Sequence, residues 1–223
     1  MRDFTTVLDL VRQHHGEDVV RNAKALNTYL IEDLRTVSDD RFLAEMTRAV
    51  FNAGFNWQVI QTKWPGFELA FEGFNPHRVA FYADEALDRL LADTRIVRNA
   101  QKIRATFQNA QMVVDVVKSS GGFGAFLETW PDEDQAGLLQ YLHKHGGRLG
   151  GASAQYFLRF SGYDAWISSR DVCAALMREG VLDKPQATSK TALGKIDQAM
   201  SEWHHQSGYS RSVISRLLAL SVG

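Results

Sequence analysis

The sequence has almost no cysteine: Cys173 is the only one among 223 residues. A single cysteine excludes a disulfide within the chain, and it excludes a zinc site built from several cysteines. A chain without disulfides suits a reducing compartment, so we expect a cytoplasmic protein.

The sequence also lacks long apolar runs, and no stretch approaches the roughly 18 consecutive apolar residues of a membrane-spanning helix. The segment that follows Met1 to Thr5 is amphipathic and charged, unlike the apolar core of a signal peptide. Only 4 prolines occur, and no low-complexity linker interrupts the chain. These absences predict a compact body without a membrane partner.

Neither sign of charge is in clear excess, since 25 basic residues face 26 acidic ones. The overall basic signature of many nucleic-acid-binding proteins is therefore missing. The distribution is uneven, however: residues 141–223 carry 10 basic and 6 acidic side chains, and residues 1–140 carry 15 and 20. This imbalance predicts a C-terminal face that attracts phosphates, with ordinary scatter of surface charge as the alternative.

Apolar residues recur at helical spacing along nearly the whole chain, beginning with Phe4, Val7, Leu8 and Val11. No segment alternates apolar and polar residues as a strand does, so the sequence predicts an all-α fold. One predicted helix begins after Ser38 and the others cover 84–91, 96–117, 132–142, 152–160, 169–178, 190–206 and 210–220. We expect one compact unit, in which a helical segment over 1–37 precedes a helical domain over 38–223.

A glycine-rich turn joins two predicted helices near residues 142–160. Glycines permit positive φ angles and bring backbone N–H groups close to a phosphate, and the N-terminus of the second helix adds its dipole. We expect a phosphate contact from Gly150 and Gly151, with Arg148 and Lys144 as cationic partners. The alternative is a plain helical hairpin whose glycines serve close packing.

Two further motifs precede this turn. Gly54-Phe55-Asn56-Trp57 is followed by Trp64-Pro65 and Phe74-Asn75-Pro76, and a run from Arg95 to Ile103 comes some forty residues later. In this order, the pieces resemble the DNA-3-methyladenine glycosylase I family over roughly residues 38–180. The resemblance implies a helix-hairpin-helix DNA glycosylase-like helical bundle.

Enzymes of this kind take the damaged base out of the DNA stack and hold it in a pocket. The resemblance implies that Trp57 stacks on the base, because an electron-rich ring attracts a cationic methylated purine. Asn52 and Asn56 are expected to bond the base edge, and Phe51 and Phe55 to wall the pocket. The alternative places Phe51 and Trp57 in the core at a helix end.

The chain departs from the family at several positions. The family glutamate, eight residues before the pocket tryptophan, is replaced by Ala49, and the superfamily aspartate by Ser169. Glu45 and Asp171 are then the candidate catalytic carboxylates. The family's zinc-binding cysteines are missing, so we predict no metal. We expect Lys102 to tie the long helix to the rest of the fold.

These features predict a monofunctional DNA-repair glycosylase. It would hydrolyse the N-glycosidic bond of alkylated purines such as 3-methyladenine in base excision repair. We expect a monomer that acts on double-stranded DNA without a metal or nucleotide cofactor. Two alternatives stay open: a weakened homologue that binds damaged DNA, favoured by Ala49 and Ser169, and a helical protein-interaction domain, favoured by the acidity of residues 1–140.

Overall fold

The computed structural model describes residues 1–26 and 28–223, and within these ranges it contains helices and turns but no β-strand. The predicted all-α fold is therefore confirmed. The α-helices of the described ranges, in chain order, are α1 Phe4–His15, α2 Glu17–Arg21, α3 Asp39–Asn52, α4 Trp57–Ala70, α5 Pro76–Val79, α6 Asp84–Ala92, α7 Ala100–Ser120, α8 Phe123–Thr129, α9 Gln135–His145, α10 Ala152–Phe160, α11 Arg170–Arg178, α12 Lys190–Ser207 and α13 Arg211–Leu220. No helix among the described residues combines the length and the apolar character needed to cross a membrane.

Most predicted helices occur within a few residues of their expected ends, and α10 has the predicted bounds. The helices α4, α5 and α8 are not predicted by the periodicity. Pro65 lies inside α4, where its ring removes one backbone donor. A proline in the interior of a helix favours a helix break, yet α4 continues past Pro65 because its apolar residues pack against the rest of the unit.

Polar side chains cap the starts of several helices. The hydroxyl of Ser210 accepts a hydrogen bond from the Val213 N–H at the start of α13. The amide oxygen of Asn99 accepts from the Lys102 N–H at the start of α7. Such caps satisfy donors that the first turn of a helix leaves without partners. At the other end of α7, Gly121 takes the left-handed conformation of a C-cap.

Contacts between helices divide the chain into two compact units. The first consists of residues 1–30, 131–138 and 162–223, and the second of residues 31–130 and 139–161. This division differs from a boundary at residue 37, because the N-terminal helices group with the C-terminal ones.

In the first unit, α13 packs against α1, α11 and α12. The N-terminal helix is fixed to this group by Phe4, whose ring lies 5.8 Å from that of Trp203. An irregular segment over residues 163–169 is fixed by buried polar contacts. The backbone of Trp166 exchanges two hydrogen bonds with the Gln135 side chain, and its indole N–H donates to Asp197 over 2.7 Å.

In the second unit, α3 packs against both α7 and α10, and α4 packs against α3. A series of nearly parallel rings runs through the core next to α4, with centroids 5.3–6.2 Å apart. Its members are Trp64, Phe67, Phe71 and Phe74. This apolar body supports the turn between α3 and α4, which carries the first sequence motif.

Candidate functional site

The turn between α3 and α4 presents two aromatic side chains to solvent. Gly54 has a positive φ of 75°, which permits the sharp reversal. Asn56 is the N-cap of α4, and its side-chain oxygen accepts from the Gln58 N–H over 2.9 Å. Trp57 begins the helix and is 60% exposed, and Phe55 is 43% exposed. The predicted stacking residue therefore lies on the surface and not in the core.

Lys102 holds this turn in place from the side of α7. Its side chain is buried, and Nζ donates to the carbonyl oxygens of Phe51 at 3.0 Å and Ala53 at 2.5 Å. The same ammonium lies 4.3 Å from the centroid of the Phe55 ring. Burial, with a smaller contribution from the charge of Arg148, lowers the pKa of Lys102. The predicted structural role of Lys102 is confirmed by these contacts.

Phe51 belongs to the hydrophobic core. Its side chain is fully buried, and its ring meets that of Phe67 edge-on at 4.8 Å. Phe51 therefore supports the turn from beneath, and of the two phenylalanines predicted as walls only Phe55 reaches the surface.

One face of α3 carries a series of polar side chains beside α4. Glu45 and Arg48 lie one turn apart, with 3.5 Å between a carboxylate oxygen and Nε. The Arg48 guanidinium lies 4.2 Å above the centroid of the Trp64 ring. Ala49 is buried, and Asn52 is half-buried at the end of the helix. Glu45 lies four residues, about one helical turn, before Ala49.

Burial raises the pKa of Glu45 above its ordinary value, and the charges of Arg48 and Arg41 partly offset this effect. A carboxyl group in such surroundings holds a proton more readily than one in water. Glu45 is partly buried and lies in the same unit as Trp57.

Two polar atoms on this face are buried without a hydrogen-bond partner among the described residues, namely Arg48 Nε and Asn52 Oδ1. The Glu45 carboxylate is close enough to Arg48 for an ion pair, but a separation of 3.5 Å lies at the limit of a hydrogen bond. We therefore treat the contact as an ion pair only. Unpaired buried groups are uncommon in folded proteins and need a reason.

The predicted hairpin joins α9 to α10. Gly147 fits closely against α7, because a Cβ at this position would lie 2.7 Å from the Cα of Ala105. The Asn109 side chain bonds both the N–H and the carbonyl of Gly147. At the tip, Arg148 has a positive φ of 57°, and its guanidinium donates to the side chain of Gln101.

Gly151 is the exposed N-cap of α10, with a positive φ of 55° and no side chain to cap the helix. In the first turn the Ser153 N–H donates to the Gly150 carbonyl, and the positive end of the helix dipole lies at Gly151. Gly150 is half-buried against His143, where a Cβ would lie 3.0 Å from the imidazole. Lys144 is exposed in the last turn of α9.

Both sequence motifs lie against the N-terminal half of α7. Lys102 contacts the turn of Trp57, whereas Gln101, Ala105 and Asn109 contact the hairpin. The predicted stacking residue and the predicted phosphate-binding turn are thus supported by neighbouring residues of one helix. The structure brings them together within the second unit.

Asp171 lies in the first unit, exposed in the first turn of α11. The preceding Ser169, at the position of the superfamily aspartate, caps that helix by accepting from the Val172 N–H. Serine at this position therefore has a structural task of its own. Among the described residues, no group of three or more His, Cys, Asp and Glu side chains is arranged to hold a metal ion.

Two residues of the α3–α4 face, Arg48 and Trp64, are not predicted as site residues. The signal is present in the spacing, since Arg48 follows Glu45 by three residues and Trp64 follows Trp57 by seven. Both spacings place the paired side chains on one face of a helix. The second spacing is not apparent from the sequence, because no helix is predicted over residues 57–70.

Comparison with known proteins agrees with these motifs. The sequence model of the methyladenine glycosylase family matches residues 34–142. DNA-3-methyladenine glycosylase 1 of Escherichia coli (strain K12) is 29% identical over 94 residues, which are 40% of this chain. The chain spans about half the length of that curated relative, the match covering 50% of it.

Two solved structures share the fold. The structure that describes 3-methyladenine recognition by 3-methyladenine DNA glycosylase I from Staphylococcus aureus has a TM-score of 0.53 and 23% identity, over 69% of this chain and 92% of its own. A crystal structure of 3-methyladenine DNA glycosylase I has a TM-score of 0.51 and 20% identity, over 66% and 88%. Residues 34–142 match the methyladenine glycosylase family, and the predicted resemblance of this chain to the DNA-3-methyladenine glycosylase I family is confirmed.

Proposed function

We propose that this protein is a DNA N-glycosylase that removes alkylated purines, with 3-methyladenine as the principal substrate, and so begins base excision repair. The observation that carries the proposal is Trp57, which is exposed at the start of α4 inside the segment that matches the methyladenine glycosylase family. An exposed tryptophan on a firmly held turn is well placed to stack on a base that has left the helix.

An N-methylated purine in DNA carries a positive charge, and the face of Trp57 attracts such a cation. Phe55 offers a second apolar surface on the same turn. Asn52 and Asn56 lie at the two ends of this turn and have amide groups for the base edge. The oxygen of Asn56 is already used to cap α4, so we assign base contact to its amide nitrogen and to Asn52.

The reaction breaks the bond between the sugar C1′ and the purine nitrogen. The bonding electron pair leaves with the cationic base, which departs as a neutral molecule, and water adds its hydroxyl to the oxocarbenium-like sugar while its proton is released. A carboxylate near the sugar stabilises the positive charge that develops there. Glu45 is our first candidate for this task and Asp171 the second.

We assign the DNA backbone to the hairpin. The N-terminus of α10, at Gly150 and Gly151, offers the positive end of a helix dipole to a phosphate, and Arg148 and Lys144 add positive charge. Because the attraction is local, the net charge of −1 does not oppose it. We propose that the protein acts as a monomer on duplex DNA in the cytoplasm.

Base release from methylated duplex DNA, followed by chromatography of the freed bases, tests the proposed activity. We expect release of 3-methyladenine by the native protein and loss of release in Trp57→Ala. The matched control is Phe81→Ala, because Phe81 is an 85% exposed aromatic residue of the same unit outside the α3–α4 turn. Absence of release at high enzyme concentration would contradict the proposal.

A second candidate function is binding of damaged DNA without cleavage, and Ala49 in place of the family glutamate favours it. The two functions differ in one readout. If the protein only binds lesions, methylated duplex DNA would quench its tryptophan fluorescence, but no base would be released. Binding that weakens steeply with rising salt would separate both from a protein-interaction domain, since phosphate contacts release counterions.

A further inference from the structure

Two half-buried side chains of α3 carry a donor and an acceptor that lack a partner. Arg48 Nε and Asn52 Oδ1 are both shielded from solvent and unbonded among the described residues. They lie four positions apart on one helix, and this spacing puts their side chains on the same face, one turn from each other. A paired donor and acceptor of this kind is the arrangement that reads the edge of a nucleobase.

Arg48 is held in position before any ligand binds. Its guanidinium is stacked on Trp64 at 4.2 Å, and the Glu45 carboxylate stands 3.5 Å from Nε. The side chain as a whole is 40% exposed, so a small rotation of the guanidinium brings its N–H groups to an incoming base. Such preorganisation reduces the entropy lost on binding.

This face lies on the same side of α4 as the proposed stacking residue. Arg41 pairs with Glu68 and Arg48 with Trp64, so α3 and α4 run in opposite directions. Trp64 follows Trp57 by seven residues, and the two indoles therefore project from one face of α4. Going along α3 from Arg48 to Asn52 leads toward the turn that ends at Trp57.

We propose that Arg48 is a specificity-determining residue, which donates a hydrogen bond to a ring nitrogen of the flipped base while Asn52 Oδ1 accepts one from the exocyclic amino group. The inference rests on the proposed function and names the edge that the site reads. Adenine presents an acceptor at N7 beside a donor at its amino group. Guanine presents two acceptors there, N7 and O6, and its O6 would face the oxygen of Asn52.

Glu45 completes this arrangement electrostatically. An arginine alone would repel a cationic methylated base, but an ionised carboxylate 3.5 Å away makes the pair neutral overall. The pair therefore supplies a hydrogen-bond donor without an uncompensated positive charge beside the lesion. Ala49, between the two polar side chains, adds no bulk that would block the base.

The test measures two readouts on the full-length protein. The first is binding of free 3-methyladenine and free 3-methylguanine, followed by tryptophan fluorescence, which needs no catalysis. The second is the ratio of these two bases released from methylated DNA. The variants are Arg48→Met, which keeps the apolar stem on Trp64 but has no donor, and Arg89→Met as a matched control. Arg89 also lies over an aromatic ring, that of Tyr82 at 5.5 Å, and is remote in sequence from α3.

We expect Arg48→Met to weaken 3-methyladenine binding about 10- to 100-fold, as for the loss of a hydrogen bond from a charged group. Binding of 3-methylguanine should change much less, and Arg89→Met should change the binding of neither base.

Equal weakening of the binding of both bases, or native affinity in Arg48→Met, would overturn the inference. If Arg48→Met selectively weakens 3-methyladenine binding but the native protein releases no base, the inference stands and the proposed catalysis fails. If the native protein releases both bases and Arg48→Met leaves their ratio unchanged, the proposed catalysis stands and the inference about Arg48 fails.

Discussion

Two tryptophans, one in each unit, show opposite uses of the same side chain. Trp166 is fully buried, its indole N–H donates to Asp197, and its backbone bonds Gln135 in both directions. Trp57 stands at a helix start with most of its surface in water. The first fixes an irregular segment of the chain, whereas the second has a firmly held backbone and a free aromatic face.

The difference teaches where to look for function in a helical protein. The polar groups that contact Trp166, namely the side chains of Gln135 and Asp197, all bond other groups of the protein. Around Trp57 an exposed ring lies in the same unit as a buried donor and a buried acceptor without partners. Exposed aromatic rings and unpaired polar atoms add little to the stability of the fold, and a ligand can supply the contacts that they lack.

Trp166→Ala tests the structural side of this comparison and should have the largest effect. The substitution removes a fully buried ring and one of the two donors to Asp197. We expect a loss of about 3–5 kcal/mol in the free energy of unfolding, measured by urea denaturation. Trp166→Phe, which keeps most of the apolar volume, should lose clearly less; equal losses would show that the polar contact and not the packing dominates.

The pH dependence of stability tests the buried carboxylate of the same region. Burial raises the pKa of Asp197 from an ordinary value of 3.8 to about 6, against the effect of the donors Ala136 N–H and Trp166 Nε1–H. Between these values the folded protein binds the proton that the unfolded chain has lost. The contribution of Asp197 to stability is therefore full below pH 4 and falls by about 3 kcal/mol as pH rises through 6.

The measurement is the unfolding free energy from pH 4 to 7 for the native protein and Asp197→Asn. Other carboxylates titrate in this range, so the difference between the two proteins is the informative quantity. The decline assigned to Asp197 should be absent in the variant. A parallel decline in both proteins would mean that another group is responsible.

Trp57→Ala should have the smallest effect on stability although it removes an equally large side chain. Most of the ring is exposed, so we expect the free energy of unfolding to change by no more than about 0.5 kcal/mol. Thermal or urea denaturation beside the base-release assay checks this. A loss comparable with that of Trp166→Ala would break the comparison and make Trp57 a structural residue.

Much of the fold could be predicted because its signals are local. The apolar periodicity and the cap at Ser210 depend on residues within one or two turns of each other, and α10 has the predicted bounds. The helix α4 is missed because Pro65 carries a strong local signal for a break, which the packing of α4 on α3 overrides. Local propensity gives way where tertiary contacts are strong.

The site residues show the same difference between local sequence signals and tertiary contacts. Trp57 and the hairpin glycines are marked by short motifs, so the sequence predicts them. Arg48 can be identified as a candidate site residue only from its contact with Trp64, which lies 16 residues later in the sequence. Phe51 is placed in the core by its contact with Phe67. Hydrophobicity alone does not tell a pocket wall from a core residue, because both are aromatic and both follow a helix face.

The ammonium of Lys102 spans about fifty positions of the sequence to reach the carbonyls of Phe51 and Ala53. The α3–α4 turn therefore receives this support only where α7 packs against it, through a contact that is distant in sequence. A transplant of the two helices into another scaffold would carry Trp57 but not its support. Engineers who want the turn need the lysine and the helix that bears it.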